Sequence, residues 1–207
     1  MIAQQLSGIQ ALARIRGHGM GWAFSQADFS DLGTRRAIDT ELHRLARRGQ
    51  IRRVLRGVYD FPRYSRVLEK HAGPDIDQIA HAIARKFGWR IQHDGASAQN
   101  LLGLSTQVPA RVVYLSDGPS RVYRVGKSAI HFEHTLLKEA GFKLRESGLV
   151  VQALRAYGKG RIPQKAISRI RSQFPLALRR KILIDTKTAT GWIHAAIRQI
   201  AKDDNRA

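Results

Sequence analysis

An α+β fold is predicted by three observations. Residues 24–62 join two short helical stretches to a tight two-stranded ribbon, the middle of the chain switches to strand-like spacing, and everything from Leu149 onward returns to amphipathic helix. The elements fall into an N-terminal domain over residues 1–72 and a second, mixed α/β domain over 73–207. The second has a small sheet and several terminal helices, with Gly73-Pro74 as the turn between domains.

The first helix is carried by Ile2, Leu6, Ile9, Ala13 and Ile15 and is broken at Gly17 to Gly21. Ser25 or Gln26 opens a short helical turn holding Ala27 and Phe29, which ends at Gly33. A glycine there is expected to supply the positive φ of a tight inter-helix turn. Thr34 stands where an N-cap belongs, and Ile38, Leu42, Leu45 and Ala46 recur as one apolar face of the helix that follows. Its other face carries Arg35, Arg36, Asp39, Thr40, His43, Arg44 and Arg47. Gly49 stops the helix. Ile51 to Leu55 then reads as a strand, Arg56-Gly57 as a turn, and Val58, Tyr59 and Phe61 as the returning strand. Helix, turn, basic helix and glycine-tipped ribbon are the sequence form of a winged helix-turn-helix, which makes double-stranded DNA the first partner to test.

An α-helix fits the major groove, its N-terminal residues reach bases first, and arginine pairs in bidentate fashion with guanine. Arg35, Arg36 and Thr40 are therefore the readout candidates, with Asp39, His43 and Arg44 behind them. Arg47, Arg48, Arg52, Arg53 and Arg56, at the helix end and on the wing, would meet phosphates and fix register. The competing reading is a solvated basic face on a winged helix used for protein contacts.

Charge supports nucleic acid. The 207-residue chain has 36 Lys+Arg against 16 Asp+Glu, a formal net charge of +20, which attracts polyanions and makes binding salt-dependent. The excess is uneven: 13 basic against 6 acidic residues in 1–72, 10 against 7 in 73–146, and 13 against 3 in 147–207. A hydrophobic content of 43% is enough for a real core. With no cysteine there is no disulfide, thiolate metal site or cysteine nucleophile. No apolar run is long enough to span a membrane and the N-terminus lacks a secretory pattern, so a cytoplasmic protein is expected.

In the second domain Asp75 reads as the N-cap of a helix through Ile76, Ile79, Ala80, Ile83, Ala84 and Phe87, ended by Gly88. Trp89 to His93 reads as a strand, Ala96 to Leu102 as a short helix closed by Gly103, and Arg111 to Leu115 as a strand. Arg121 to Val125 and Ala129 to Glu133 form a hairpin around Gly126-Lys127. Pro163 and Phe174-Pro175 each open a helix, and a last one holds Trp192, Ile193, Ala196, Ile197 and Ile200.

Two segments together carry a family resemblance: GQIRRVLRGVYDFP from Gly49, and NLLGLSTQVPARVVYLSDGPSRVYRVGKSAIHFEH from Asn100. Over nearly its whole length the chain resembles the AbiEi-like antitoxins of type IV toxin-antitoxin, or abortive-infection, systems. The resemblance implies a bacterial two-domain protein that represses its own operon through its N-terminal winged helix, assisted by a basic C-terminal domain; the expected operator carries inverted repeats, which a dimer could read. It also implies antagonism of a cognate nucleotidyltransferase-type toxin without a stable complex. Carried onto this chain, the DNA-contacting helix is Thr34 to Arg48 and the wing is Ile51 to Phe61. A second basic set comprises Lys159, Arg161, Lys165, Arg169, Arg171, Arg179, Arg180 and Lys181. The alternative is an RNA-binding or toxin-binding regulator working through the basic C-terminal domain.

No cofactor and no catalytic role is expected. His81, His93, His131 and His134 with Asp94 and Glu133 are the only metal or acid-base candidates, and the spacing of His131 and His134 on a strand sends their rings to opposite faces. Asp75 and Asp77 are explained by helix capping. Gly158-Lys159-Gly160 is too short for a phosphate loop. No heptad seam decides between a monomer and a weak dimer.

Overall fold

The computed structural model describes residues 2–66, 69–107, 109, 111–135 and 142–203, with the side chains of 2–7 left aside. The fold is α+β, with eight α-helices among the described residues and small sheets. Two compact units are formed: Met1–Trp89 with Tyr123–Ile130, and Arg90–Val122 with His131–Ala207.

The first unit begins with α1 (Ile2–His18), then β1 (Ala23–Phe24), a 3-10 turn (Gln26–Phe29), α2 (Arg35–Arg47), β2 (Arg52–Leu55) and β3 (Val58–Asp60). The three strands form one sheet in the order β1-β3-β2, with Phe24 opposite Tyr59 and Arg53 opposite Tyr59 on its other side. Ala11, Ile15, Phe24, Phe29, Ile38, Leu42, Leu45, Ile51 and Tyr59 make its buried core. Helix α1 departs in part from the face its apolar residues predict: Ile15 is buried as expected, but Ile9 is 70% exposed and Ala13 is exposed, while Gly8 and Ala11 are buried; Ile2 and Leu6 lie outside the described side chains. The face that is buried meets α2, where a Cβ on Gly8 would lie 2.5 Å from Oε1 of Glu41, so a larger residue requires that carboxylate to shift.

Between the helices the capping box is complete: the Ser25 hydroxyl accepts from the Ala27 amide and the Asp28 carboxylate accepts from the Ser25 amide at 2.8 Å. Gly33 is not in the left-handed region, contrary to expectation; the chain passes from the 3-10 turn to the Thr34 cap through ordinary negative φ. A left-handed glycine is found instead at the ribbon tip, Gly57, φ +70°.

The short strands β4 (Tyr64–Ser65) and β5 (Lys70–His71) pair antiparallel. Helix α3 (Ile76–Phe87) follows, capped by Asp75, whose carboxylate accepts from the Asp77 and Gln78 amides, and closed by Gly88 in the left-handed region. The expected boundary at residue 72 assigns α3 to the second domain; instead it packs against β1, the 3-10 turn and β3. Arg85 ties it there by pairing with Asp28 and donating to the Ala23 carbonyl at 2.8 Å.

The second unit contains β6 (Ile91–His93), α4 (Gly95–Leu101), β7 (Val112–Ser116), and parts of β8 (Arg121–Val125) and β9 (Ser128–His134); these strands form a sheet in the order β6-β7-β9-β8. Helices α5 (Arg145–Tyr157), α6 (Gln164–Gln173), α7 (Leu176–Asp185) and α8 (Gly191–Ile200) complete it. Its core gathers Ala98, Leu102, Val150, Val151, Leu154, Ile167, Ile170, Ile182, Ile193 and Ile197. Gly95 is packed so closely on α5 that an added Cβ would lie 2.6 Å from that of Ala156. No helix among the described residues is long and apolar enough to cross a membrane.

Candidate nucleic-acid interface

Helix α2 is amphipathic by composition: Ile38, Leu42 and Leu45 are buried, while Arg35, Arg36, Thr40, His43, Arg44, Arg47 and Arg48 are exposed. Thr34 spends its hydroxyl on the helix, accepting from the Ala37 amide at 3.3 Å. Thr40 does likewise, its Oγ1 donating to the Arg36 carbonyl at 2.9 Å. Arg35 has 80% of its side chain exposed, with Asp39 one turn on at 3.9 Å. Arg44 is bound in a fork to the nearly buried Glu41 at 2.9 and 2.8 Å, which fixes its guanidinium along the helix.

On the ribbon, Arg53 and Arg56 are exposed and Arg52 is not available. Its Nε and Nη2 hold both carboxylate oxygens of Asp60, a residue 1% exposed, and its Nη1 donates to the Ala72 carbonyl at 2.9 Å. A phosphate contact from Arg52 would strand a buried carboxylate, so the sequence assignment of Arg52 to phosphate is corrected: it is a brace inside the first unit.

The ribbon tip is met by a residue that sequence reasoning missed. Lys86, in the last turn of α3, donates from Nζ to the Arg56 carbonyl at 2.8 Å, and a Cβ on Gly57 would lie 2.8 Å from that nitrogen. Burial pushes its ammonium below the ordinary lysine value; Asp39 opposes the shift, and Arg35, Arg56 and Arg53 add to it. The geometry joins Lys86 to the ribbon tip at Arg56 and Gly57, while Arg35 keeps Asp39 as its neighbour on α2. Tyr59 lies in the same field, its phenol raised by burial, with Arg53 lowering it and Asp39 raising it. The sequence carried little signal for Lys86, because Arg85-Lys86 looks like the usual cationic end of a helix.

The C-terminal basic set divides. Arg179 is 3% exposed and its Nη1 donates to the Ile200 and Lys202 carbonyls at 3.0 and 3.1 Å, closing the end of α8; its assignment to DNA is corrected on that ground. Arg171 donates to the Asp203 carbonyl at 3.4 Å and Arg180 pairs with the Asp203 carboxylate at 3.7 Å, so both also serve the end of α8. Lys159, Arg161, Lys165, Arg169 and Lys181 remain exposed.

The histidines stay apart as sites. His81 lies 3.7 Å from Asp77, the His93 ring lies tilted against Tyr114 at 4.8 Å, and His134 Nδ1 lies 2.9 Å from the Gly118 carbonyl. Among the described residues no three of His, Asp and Glu gather as a metal site.

The model of one protein family, described as a family of unknown function (DUF6088), matches residues 10–181. No curated protein and no solved structure matches the chain.

Proposed function

The chain belongs to the DUF6088 family, and with that as premise we propose that it is a DNA-binding transcriptional regulator whose first unit is a winged helix-turn-helix. The order helix, strand, helical turn, helix, strand, strand, with the sheet order β1-β3-β2, supports that architecture. Helix α2 is the recognition helix, and the ribbon β2-β3 is the wing.

The observation that carries the reading is the exposed basic face of α2, with Arg35, Arg36, His43, Arg47 and Arg48 in solvent, together with a ribbon on which Arg53 and Arg56 are also exposed. Such a cationic surface attracts a phosphate backbone and releases its counterions. Arg36, with Arg35, reaches bases; Arg53, Arg56, Arg47 and Arg48 meet phosphates; His43 lies further along the same face. A gel shift of the full-length protein on its own upstream DNA and on random duplex of equal length, at physiological salt with excess competitor, tests this. Preference for the upstream DNA is expected. Equal binding to both would reduce the charge to a generic polyanion surface and favour the RNA-binding alternative.

The finer reading, an AbiEi-like antitoxin that represses its own operon, is supported by the resemblance of the segments from Gly49 and from Asn100. Its test is co-expression with a nucleotidyltransferase-type toxin encoded beside it. Restored growth with no co-purifying complex is the expected result, and undiminished toxicity would remove the antitoxin role while leaving DNA binding intact.

A further inference from the structure

The second unit contains a cleft of about 430 Å³ where three helices converge: Gly103 and Leu104 follow the end of α4, Tyr157 ends α5, and Pro163, Lys165 and Arg169 come from the start and middle of α6. Its position is built in. Gln173 Nε2 donates to the Leu102 carbonyl at 2.8 Å, fastening α6 to the end of α4. Gly103 is left-handed, φ +59°, and an added Cβ would stand 3.0 Å from Arg169 Nη2, so the guanidinium lies along bare backbone. Lys165 and Arg169 are four residues apart on one helix face and both line the cleft. No carboxylate pairs with either among the described residues.

The chemistry of this lining differs from that of the helix-wing junction. A convex duplex could touch only the rim of such a cleft, whereas its size falls in the range of about 300–1,000 Å³ typical of small-molecule sites. Two cations, Lys165 and Arg169, are among its lining residues. Leu104, Pro163 and the Tyr157 ring supply apolar and aromatic surface on which a flat body can rest. A phosphate monoester carries a charge of about −1.5 to −2 at neutral pH, which matches one arginine and one lysine.

We infer that this cleft binds a mononucleotide-sized phosphate monoester, its phosphate held by Arg169 and Lys165 and its planar body against Leu104, Pro163 and Tyr157. The site lies wholly in the second unit and does not depend on the reading of the first as a DNA reader.

An NMR titration of the full-length ¹⁵N-labelled protein tests it with three probes: AMP, adenosine and inorganic phosphate. The expected result is saturable binding of AMP with shifts at Gly103 and Tyr157, and at least tenfold weaker binding of adenosine and of phosphate alone. Arg169→Gln and Lys165→Gln, both exposed positions, are expected to keep the melting temperature and each to weaken AMP at least tenfold. Absence of saturation with AMP overturns the proposal, as does AMP binding that both variants retain. A single-stranded oligonucleotide that binds here and is lost in the variants, with AMP inert, also overturns it and assigns these cations to a nucleic-acid strand.

Discussion

Arginine plays two opposite parts in this protein, and its partner decides which. Arg35 is mostly exposed beside a loosely held Asp39, whereas Arg52 is locked on the buried Asp60. Arg35→Ala or Arg36→Ala should therefore weaken binding to a specific site by about 1–3 kcal/mol and relax base preference, read by fluorescence anisotropy on specific and random duplexes. Equal losses on both duplexes would remove the readout role. Arg52→Ala should act on stability, lowering it by about 3 kcal/mol in a urea melt because Asp60 is left as an unpaired buried charge. An unchanged melt together with a flatter salt dependence would return Arg52 to the phosphate-contacting set. Asp31 offers a test by pH: the hydrogen bonds from Arg14 hold its carboxyl down from 3.8 to about 2. Because the folded pKa is the lower one, the unfolded chain takes up the proton first as acid is added. The stabilisation is complete above pH 3.8 and is lost as pH falls toward about 2. Asp31→Asn should flatten that part of the acid-stability curve, and parallel curves would show that this exposed pair contributes nothing.

At the level of elements, most of what was legible came from local rules. Thr34, Asp75, Gly49, Gly57 and Gly88 mark helix ends and turns by conformational preference alone, and the helices and the ribbon stand within a few residues of where these signals place them. Tertiary choices were less legible. Nothing in the spacing of Ile9 and Ala13 reveals that α1 turns Gly8 toward α2, because that choice depends on how close two helices approach. Of the candidate site, the exposed face of α2 and the β2-β3 ribbon could be read in advance. Lys86, Arg52 and Arg179 could not, since identical side chains become free cations or braces according to distant neighbours. The Gly8 contact makes its own prediction. Alanine in a helix normally outperforms glycine, yet Gly8→Ala should destabilise by about 1–3 kcal/mol because its methyl meets the buried Glu41 carboxylate. A more stable variant in chemical denaturation would show that Glu41 swings away freely.

For the whole molecule, a net charge of +20 predicts a steep fall of DNA affinity with salt. Arg53→Ala and Arg56→Ala should each reduce the slope of log affinity against log salt by about 1, with little change in sequence preference. Unchanged slopes would place the contacting phosphates elsewhere. The deletion of residues 147–207, attractive from composition as a test of the second basic set, would strip α5 to α8 from the core that Ala98 and Leu102 share. Charge-neutralising substitutions at Lys159, Arg161 and Lys181 are the sound alternative.

The first unit also borrows residues 123–130, the tip of the β8-β9 hairpin, which the chain reaches only after entering the second unit. During synthesis α2 and the β2-β3 ribbon emerge early, but the unit is incomplete until about forty more residues have left the ribosome. At translation rates of about 5–20 residues per second that interval lasts seconds, far longer than a helix or hairpin takes to form. The nascent chain thus spends that time with its basic helix exposed and its supporting unit incomplete, a window in which a chaperone, or the nucleic acid of the ribosome itself, meets the helix before the finished fold does.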